Sequence, residues 1–160
     1  MAKKLTKTNA VRLLSQAKIA YELVSYEVDE SNLAATHVAE QLGEDVAQVF
    51  KTLVLRGDRN GHLVCIIPGD KELNLKVAAK VSGNKSVEMI PMKELLPTTG
   101  YIRGACSPIG MKRHLPTFID HSSLNFEVIY ISAGVRGMQI EINPQSLISF
   151  VGAEVAELTI

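Results

Sequence analysis

The sequence predicts an α+β fold: a single domain over residues 1–160, with a curved, mixed and mostly antiparallel sheet flanked by helices. Three observations carry that expectation. Stretches of strand-like alternation and of helical spacing are mixed along the chain without a regular strand–helix–strand repeat. Glycine, proline and asparagine stand at the joints between them. Of the 160 residues, 46% are apolar, enough for a substantial core, and no linker, repeat or low-complexity stretch divides it.

The elements follow in chain order. Thr6 or Thr8 caps a first helix whose apolar side is Val11, Leu13, Leu14 and Ala17. Ile19 to Val28 reads as a strand. Leu33 to Leu42 has helical spacing and stops at Gly43. Asp45 caps a short helix over Val46, Val49 and Phe50. Lys51 to Arg56 and His62 to Ile67 flank Gly57-Asp58-Arg59-Asn60-Gly61, a hairpin signal with glycine at both ends of the loop. Leu75 to Val81 is helical and ends near Gly83. Val87 to Met89 is a short strand. Pro91 suits the first turn of a short helix that ends before Pro97. The second half is richer in strand: Pro116 to Ile119, Glu127 to Ile131, and Met138 to Ile142 with its β-branched alternation. Asn143 then caps a helix with Pro144 at its first position, running through Ser149, and Glu154 to Ala156 closes the chain as a strand.

Charge and cysteine usage narrow the function classes. Lysine plus arginine equals aspartate plus glutamate at 17 each, so the chain is no strong general nucleic-acid binder, an affinity that rests on phosphate neutralisation. Positive charge is nevertheless clustered. Lys71, Lys76, Lys80 and Lys85 read as solvated helix faces; Arg103, Lys112 and Arg113 flank a glycine-rich loop, where phosphate contact fits better. The N-terminus has no apolar signal-peptide core, and no apolar run approaches the length of a membrane span. Two cysteines, Cys65 and Cys106, suggest neither a disulfide framework nor a redox pair, and a reducing cytoplasm is the expected compartment.

The usual catalytic sets are missing from the sequence. His37, His62, His114 and His121 show no zinc-hydrolase spacing, and there is no G-x-S-x-G elbow, phosphate-binding P-loop or dinucleotide fingerprint. Neither metal nor cofactor is expected. An enzyme built this way relies on positioning and on backbone donors. Gly100 to Lys112 (GYIRGACSPIGMK) is the segment best suited to that. Gly104 and Pro108 make a G-x-x-x-P step, in which glycine lets a ligand approach the backbone and proline fixes φ. Successive N–H groups there would converge on an anion or a developing oxyanion. Cys106 reads either as a nucleophile with a pKa lowered by Arg103 and Lys112 or as a small side chain packed under a turn. Lys51, at the lip of an apolar strand, either reaches out to solvent or points its ammonium into a pocket. Ser132-Ala133-Gly134 with Arg136-Gly137 reads either as a plain hairpin turn or as a pocket wall.

Five segments, in their order and spacing, resemble the YbaK type of aminoacyl-tRNA deacylase, in the prolyl-tRNA-synthetase editing-domain superfamily. They are VFKTLVL (Val49 to Leu55), LNLKVAAK (Leu73 to Lys80), TGYIRGACSPIGMK (Thr99 to Lys112), PTFID (Pro116 to Asp120) and IYISAGVRGMQIEI (Ile129 to Ile142). The resemblance covers nearly the whole chain. It implies hydrolysis of a mischarged aminoacyl-tRNA, with cysteinyl-tRNA carrying the proline anticodon as substrate and the substrate's own thiol as nucleophile. It makes Lys51, Gly104 and Ser132 the catalytic residues. It places Tyr26, Ala105, Cys106, Ser107, Pro108, Gly134, Arg136 and Gly137 around the bound aminoacyl end. The implied partners are the acceptor end of a mischarged tRNA and prolyl-tRNA synthetase, with no metal and no membrane. This chain departs from many members at Gln139, where an acidic residue is common, and at Ser31 to Ala35, which lacks an aromatic seen in some. Two readings stand beside it: an alanyl-tRNA deacylase with a water nucleophile, and a non-catalytic module that binds an aminoacyl end or a nucleotide.

Overall fold

A computed structural model describes residues 8–160. The chain order is α1 (Asn9–Gln16), β1 (Tyr21–Ser25), α2 (Ala35–Leu42), β2 (Phe50–Gly57), β3 (Gly61–Pro68), α3 (Leu75–Val81), β4 (Val87–Met89), α4 (Met92–Thr99), β5 (Thr117–Asp120), β6 (Ile129–Ser132), β7 (Met138–Ile142), α5 (Pro144–Val151) and β8 (Glu154–Ala156). The fold is α+β. Its strands divide into a three-stranded antiparallel sheet, β1-β7-β6, and a five-stranded mixed sheet, β4-β2-β3-β5-β8. The two meet at one parallel bridge, Val49 to Tyr130, just before β2 begins.

Strand alternation sorts the side chains into three apolar clusters. Phe50 and Val54 of β2, Val64 and Ile66 of β3, and Ile119 of β5 face Ile129, Ile131, Met138, Ile140 and Ile142 of the small sheet. Ala10, Val11 and Leu14 of α1 and Leu147 of α5 complete that core. The odd-numbered neighbours Leu55, Leu63, Cys65 and Ile67 turn the other way, onto Ala78 and Ala79 of α3. On the small sheet the opposite face carries Tyr130, which packs with Val49 and with Val38 and Ala39 of α2. Two further residues of that face, Ser132 and Gln139, are direct cross-strand partners.

Most expected elements form, with local differences that have physical causes. Thr8 caps α1, its Oγ1 accepting from the Val11 N–H at 3.2 Å; the alternative cap, Thr6, lies outside the described residues. β1 is shorter than expected. Ile19 N–H still bonds back to Leu14, and beyond Tyr26, which donates to Gly137, the partner strand has already turned. The helix begun by Asp45 lasts one 3-10 turn, Val46–Gln48, because Val49 and Phe50 are taken by the sheets. α4 does not end before Pro97 but carries it in its last turn. A proline there removes one backbone donor, and Thr99 Oγ1 to Leu95 O (2.8 Å) and Gly100 N to Leu96 O (2.8 Å) close the helix beyond it. No helix of the described residues is long and apolar enough to cross a membrane.

Candidate active site

The cavity that matters opens where β4 stops covering the edge of β2. Ile90 N–H donates to Val54 O, and from Phe50 to Leu53 that edge of β2 has no strand paired with it among the described residues. Val49 to Val54 form the cavity floor, Leu33 to Ala35 before and in α2 form one side, and Met89 to Leu95 form the rim. Arg103, Gly104 and Cys106 of the glycine loop close it, with Ser132 and Gln139 from the small sheet at the back. Its volume is about 550 Å³, within the range of pockets that bury a small ligand, roughly 300–1,000 Å³.

Lys51 lines this cavity, and its Nζ donates to the Gly69 carbonyl at 3.3 Å. That one anchor leaves two ammonium N–H groups for a ligand. Gly69 is a glycine for a steric reason: a Cβ there would stand 2.4 Å from the Ala35 Cβ. Ser132 is buried, and its Oγ accepts from the Gly134 N–H at 3.1 Å, which leaves its own proton free to donate. Beside it Gln139 is buried with no partner for Oε1 among the described residues, and the buried Oγ1 of Thr52 on the floor has none either. Thr52 on the floor and Gln139 at the back thus each bring an unpartnered buried oxygen to the lining of this cavity.

The glycine loop bends at Gly104, whose φ is +82°, a conformation that favours glycine. The Ala105 N–H is spent on Ile102 O at 3.0 Å, closing a turn, so the backbone donors do not all converge on the cavity. Gly104 and Cys106, which do line it, have N–H groups with no protein acceptor among the described residues. Burial pushes the Cys106 thiol up to about 12, against a smaller lowering effect of a hydrogen bond from Thr99. The lowered pKa considered for a nucleophile is therefore not what this setting produces: desolvation outweighs the Thr99 hydrogen bond, and no cation acts to lower the thiol.

Of the residues singled out in the sequence, Lys51, Gly104, Cys106 and Ser132 meet in the cavity. The others stand behind its wall. Ala105 and Ser107 are buried, and Ser107 Oγ accepts from the Ile109 N–H at 3.2 Å. Pro108 faces a separate small depression with Arg113 and His114. Tyr26 packs its side chain on the α2 cluster, and Gly137 sits against Val28 and the Tyr26 carbonyl. Gly134 lies under the ring of Tyr101, and Arg136 Nε donates to Arg103 O at 2.9 Å. Sequence reasoning missed Thr52, Gly69, Tyr101 and the exposed rim methionines Met89 and Met92. Thr52 and Tyr101 lie inside two of the five motif segments, whereas Gly69 lies in none of them.

A fold of two sheets with this edge cavity and this pair of loops defines a class. The chain belongs to the aminoacyl-tRNA editing domain family, whose model matches residues 30–150. It is 48% identical over 99% of its length, and 98% of the relative's, to EbsC of Enterococcus faecalis, named as a candidate Cys-tRNA(Pro)/Cys-tRNA(Cys) deacylase. It is also 30% identical, over 78% of its length, to the proline–tRNA ligase of Cupriavidus necator, of which the match spans only 22%. Among solved structures it is similar to protein APE2540 (TM-score 0.85, 23% identity, 93% of this chain and 97% of that one). It is likewise similar to a candidate trans-editing enzyme for prolyl tRNA synthetase (TM-score 0.81, 24% identity, 94% and 92%).

Proposed function

We propose that this protein is a trans-acting deacylase that frees cysteine from mischarged tRNA, Cys-tRNA(Pro) first, and that residues 1–160 act as one editing domain. One observation carries the reading. The cavity brings together a lysine ammonium, a serine hydroxyl and the Gly104 and Cys106 N–H groups, which have no protein acceptor among the described residues, and its one thiol is held protonated. Such a site supplies donors and no activated nucleophile of its own. Family membership supports the reaction class, and the 48% identity to EbsC favours cysteine as the amino acid.

In this reading the cysteinyl thiolate attacks its own ester carbonyl. The new C–S bond forms, the C–O bond to the terminal ribose breaks, and the ribose oxygen takes up a proton. The product is a cyclic thioester, which water opens to free cysteine. The Gly104 and Cys106 N–H groups serve the oxyanion. Lys51 positions the ribose end and favours the negative charge, and Ser132 holds the aminoacyl group, with Gln139 and Thr52 as further acceptors. Tyr26, Ala105, Ser107, Pro108, Gly134, Arg136 and Gly137 keep the wall in shape. Prolyl-tRNA synthetase is the proposed partner. A panel of charged tRNAs tests the function: a cysteine-dominated profile supports it, whereas an alanine-dominated profile, or binding without turnover, replaces it.

A further inference from the structure

From Leu95 to Ile119 the chain carries no aspartate or glutamate, although acidic and basic residues balance overall. In that span Arg103, Lys112, Arg113 and His114 are all exposed. None of them is ion-paired among the described residues. The backbone beneath them is pinned. Lys112 N–H donates to Thr99 O at 2.8 Å, and the Tyr101 hydroxyl donates to Ile109 O. A Cβ at Gly100 would stand 3.8 Å from the Lys112 Cβ, so Lys112 lies alongside the end of α4. Gly100 and Arg103 are separated by at most about 11 Å of extended chain, at roughly 3.6 Å per residue. Arg103 itself lines the cavity.

We infer that Arg103, Lys112 and Arg113 form a phosphate track that leads outward from the cavity lip and takes the acceptor strand of an RNA. The inference rests on reading the cavity as the site of the aminoacyl end. The track begins at a cavity-lining residue, where the terminal nucleotide of a bound ester would emerge. It then continues toward the end of α4 over at most about 11 Å, a span of no more than three or four nucleotides at about 3.4 Å of rise per phosphate. Unpaired cations on a pinned backbone suit a polyanion, because no internal ion pair among the described residues has to be broken before they engage it. An acidic protein surface would meet the same charges, but nothing would require it to start at the cavity. The exposed lysines Lys76 and Lys80 on α3 lie outside this loop segment and serve as the internal control.

The test compares K112Q/R113Q with K76Q/K80Q, two variants of equal net charge, and leaves the cavity residues untouched. Binding of an uncharged acceptor-stem minihelix is measured by fluorescence anisotropy between 50 and 300 mM KCl. For K112Q/R113Q the expected result is a roughly tenfold weaker Kd and a salt slope smaller by about 1.4, as two single-strand phosphate contacts give at ~0.7 each. K76Q/K80Q should keep the wild-type slope. Cysteinyl-adenosine, which has no phosphodiester, should be hydrolysed equally by wild type and both variants. An unchanged Kd and slope in K112Q/R113Q would overturn the track, as would an equal loss in both variants. Unchanged RNA binding together with lost association with prolyl-tRNA synthetase would assign the surface to the protein instead. Failure of the wild type to hydrolyse any ester, with the slope change intact, would sink the deacylase reading and keep the track.

Discussion

Arg136 Nε donates to the backbone carbonyl of Arg103 at 2.9 Å, tying the turn after Ser132 to the loop that closes the cavity. Tyr101 makes a second tie, its ring over Gly134 and its hydroxyl on Ile109 O. Two loops, one closing the cavity and one following Ser132, are thus clasped together at two points behind its wall. The clasp explains why glycines stand where they do. At Gly104 a Cβ would sit 3.3 Å from Arg136 Nε, and at Gly134 it would sit 2.9 Å from the Tyr101 ring.

Gly134→Ala should therefore destabilise the protein more than Gly152→Ala. Both glycines have positive φ, +97° and +69°, but only the first meets another group within 4 Å. Backbone strain alone costs on the order of 1–3 kcal/mol, and displacement of Tyr101 adds to it at Gly134. Chemical denaturation of the two variants measures the difference. Equal losses would mean that the Tyr101 contact contributes nothing.

Cys106→Ala should deacylate at nearly the wild-type rate. Burial raises this thiol to about 12, so it stays protonated through neutral pH and offers no thiolate. The sign matters for the pH profile: between pH 6.5 and 8.5 the rate should climb as the substrate's own thiol ionises, near its ordinary value of about 8.5. The climb should be the same in the variant. A folded but inactive Cys106→Ala, or an acyl group trapped on Cys106, would contradict this.

Lys51→Ala should keep the fold and lose most activity. Losing one preorganised donor at a developing charge typically costs about 10²–10³ in rate, and among the described residues the Nζ hydrogen-bonds only to Gly69 O. Thermal melting checks the fold, and single-turnover kinetics check the rate. A folded variant of near-normal activity would remove Lys51 from the site.

Much of this was legible in the chain. Asn143-Pro144, Asp45 and Gly43 mark helix ends by local chemistry, and local chemistry is readable from sequence. Pro97 was misleading because a proline in the last turn forfeits a single hydrogen bond, which tertiary packing outweighs. Of the site, Lys51, Gly104, Cys106 and Ser132 came from motif segments and meet in space. Gly69 was not legible, because its reason is a contact with Ala35 across the fold. Nor was Tyr101, whose part is to join two loops that no spacing rule connects. Division of the strands into two sheets, joined at the Val49–Tyr130 bridge, is a matter of long-range pairing that alternation leaves open.

The most direct measurement is the single-turnover rate of cysteinyl-tRNA against seryl-tRNA, on the same tRNA and at saturating enzyme. The two amino acids differ by one atom, so the cavity separates them only weakly by size. A thiol near neutral pH is a few per cent thiolate, roughly, and strongly nucleophilic, whereas a hydroxyl is effectively un-ionised. If the substrate's thiol is the attacking group, the seryl ester binds comparably and turns over far more slowly. Equal single-turnover rates would contradict substrate-assisted attack and assign the nucleophile to a water held in the cavity.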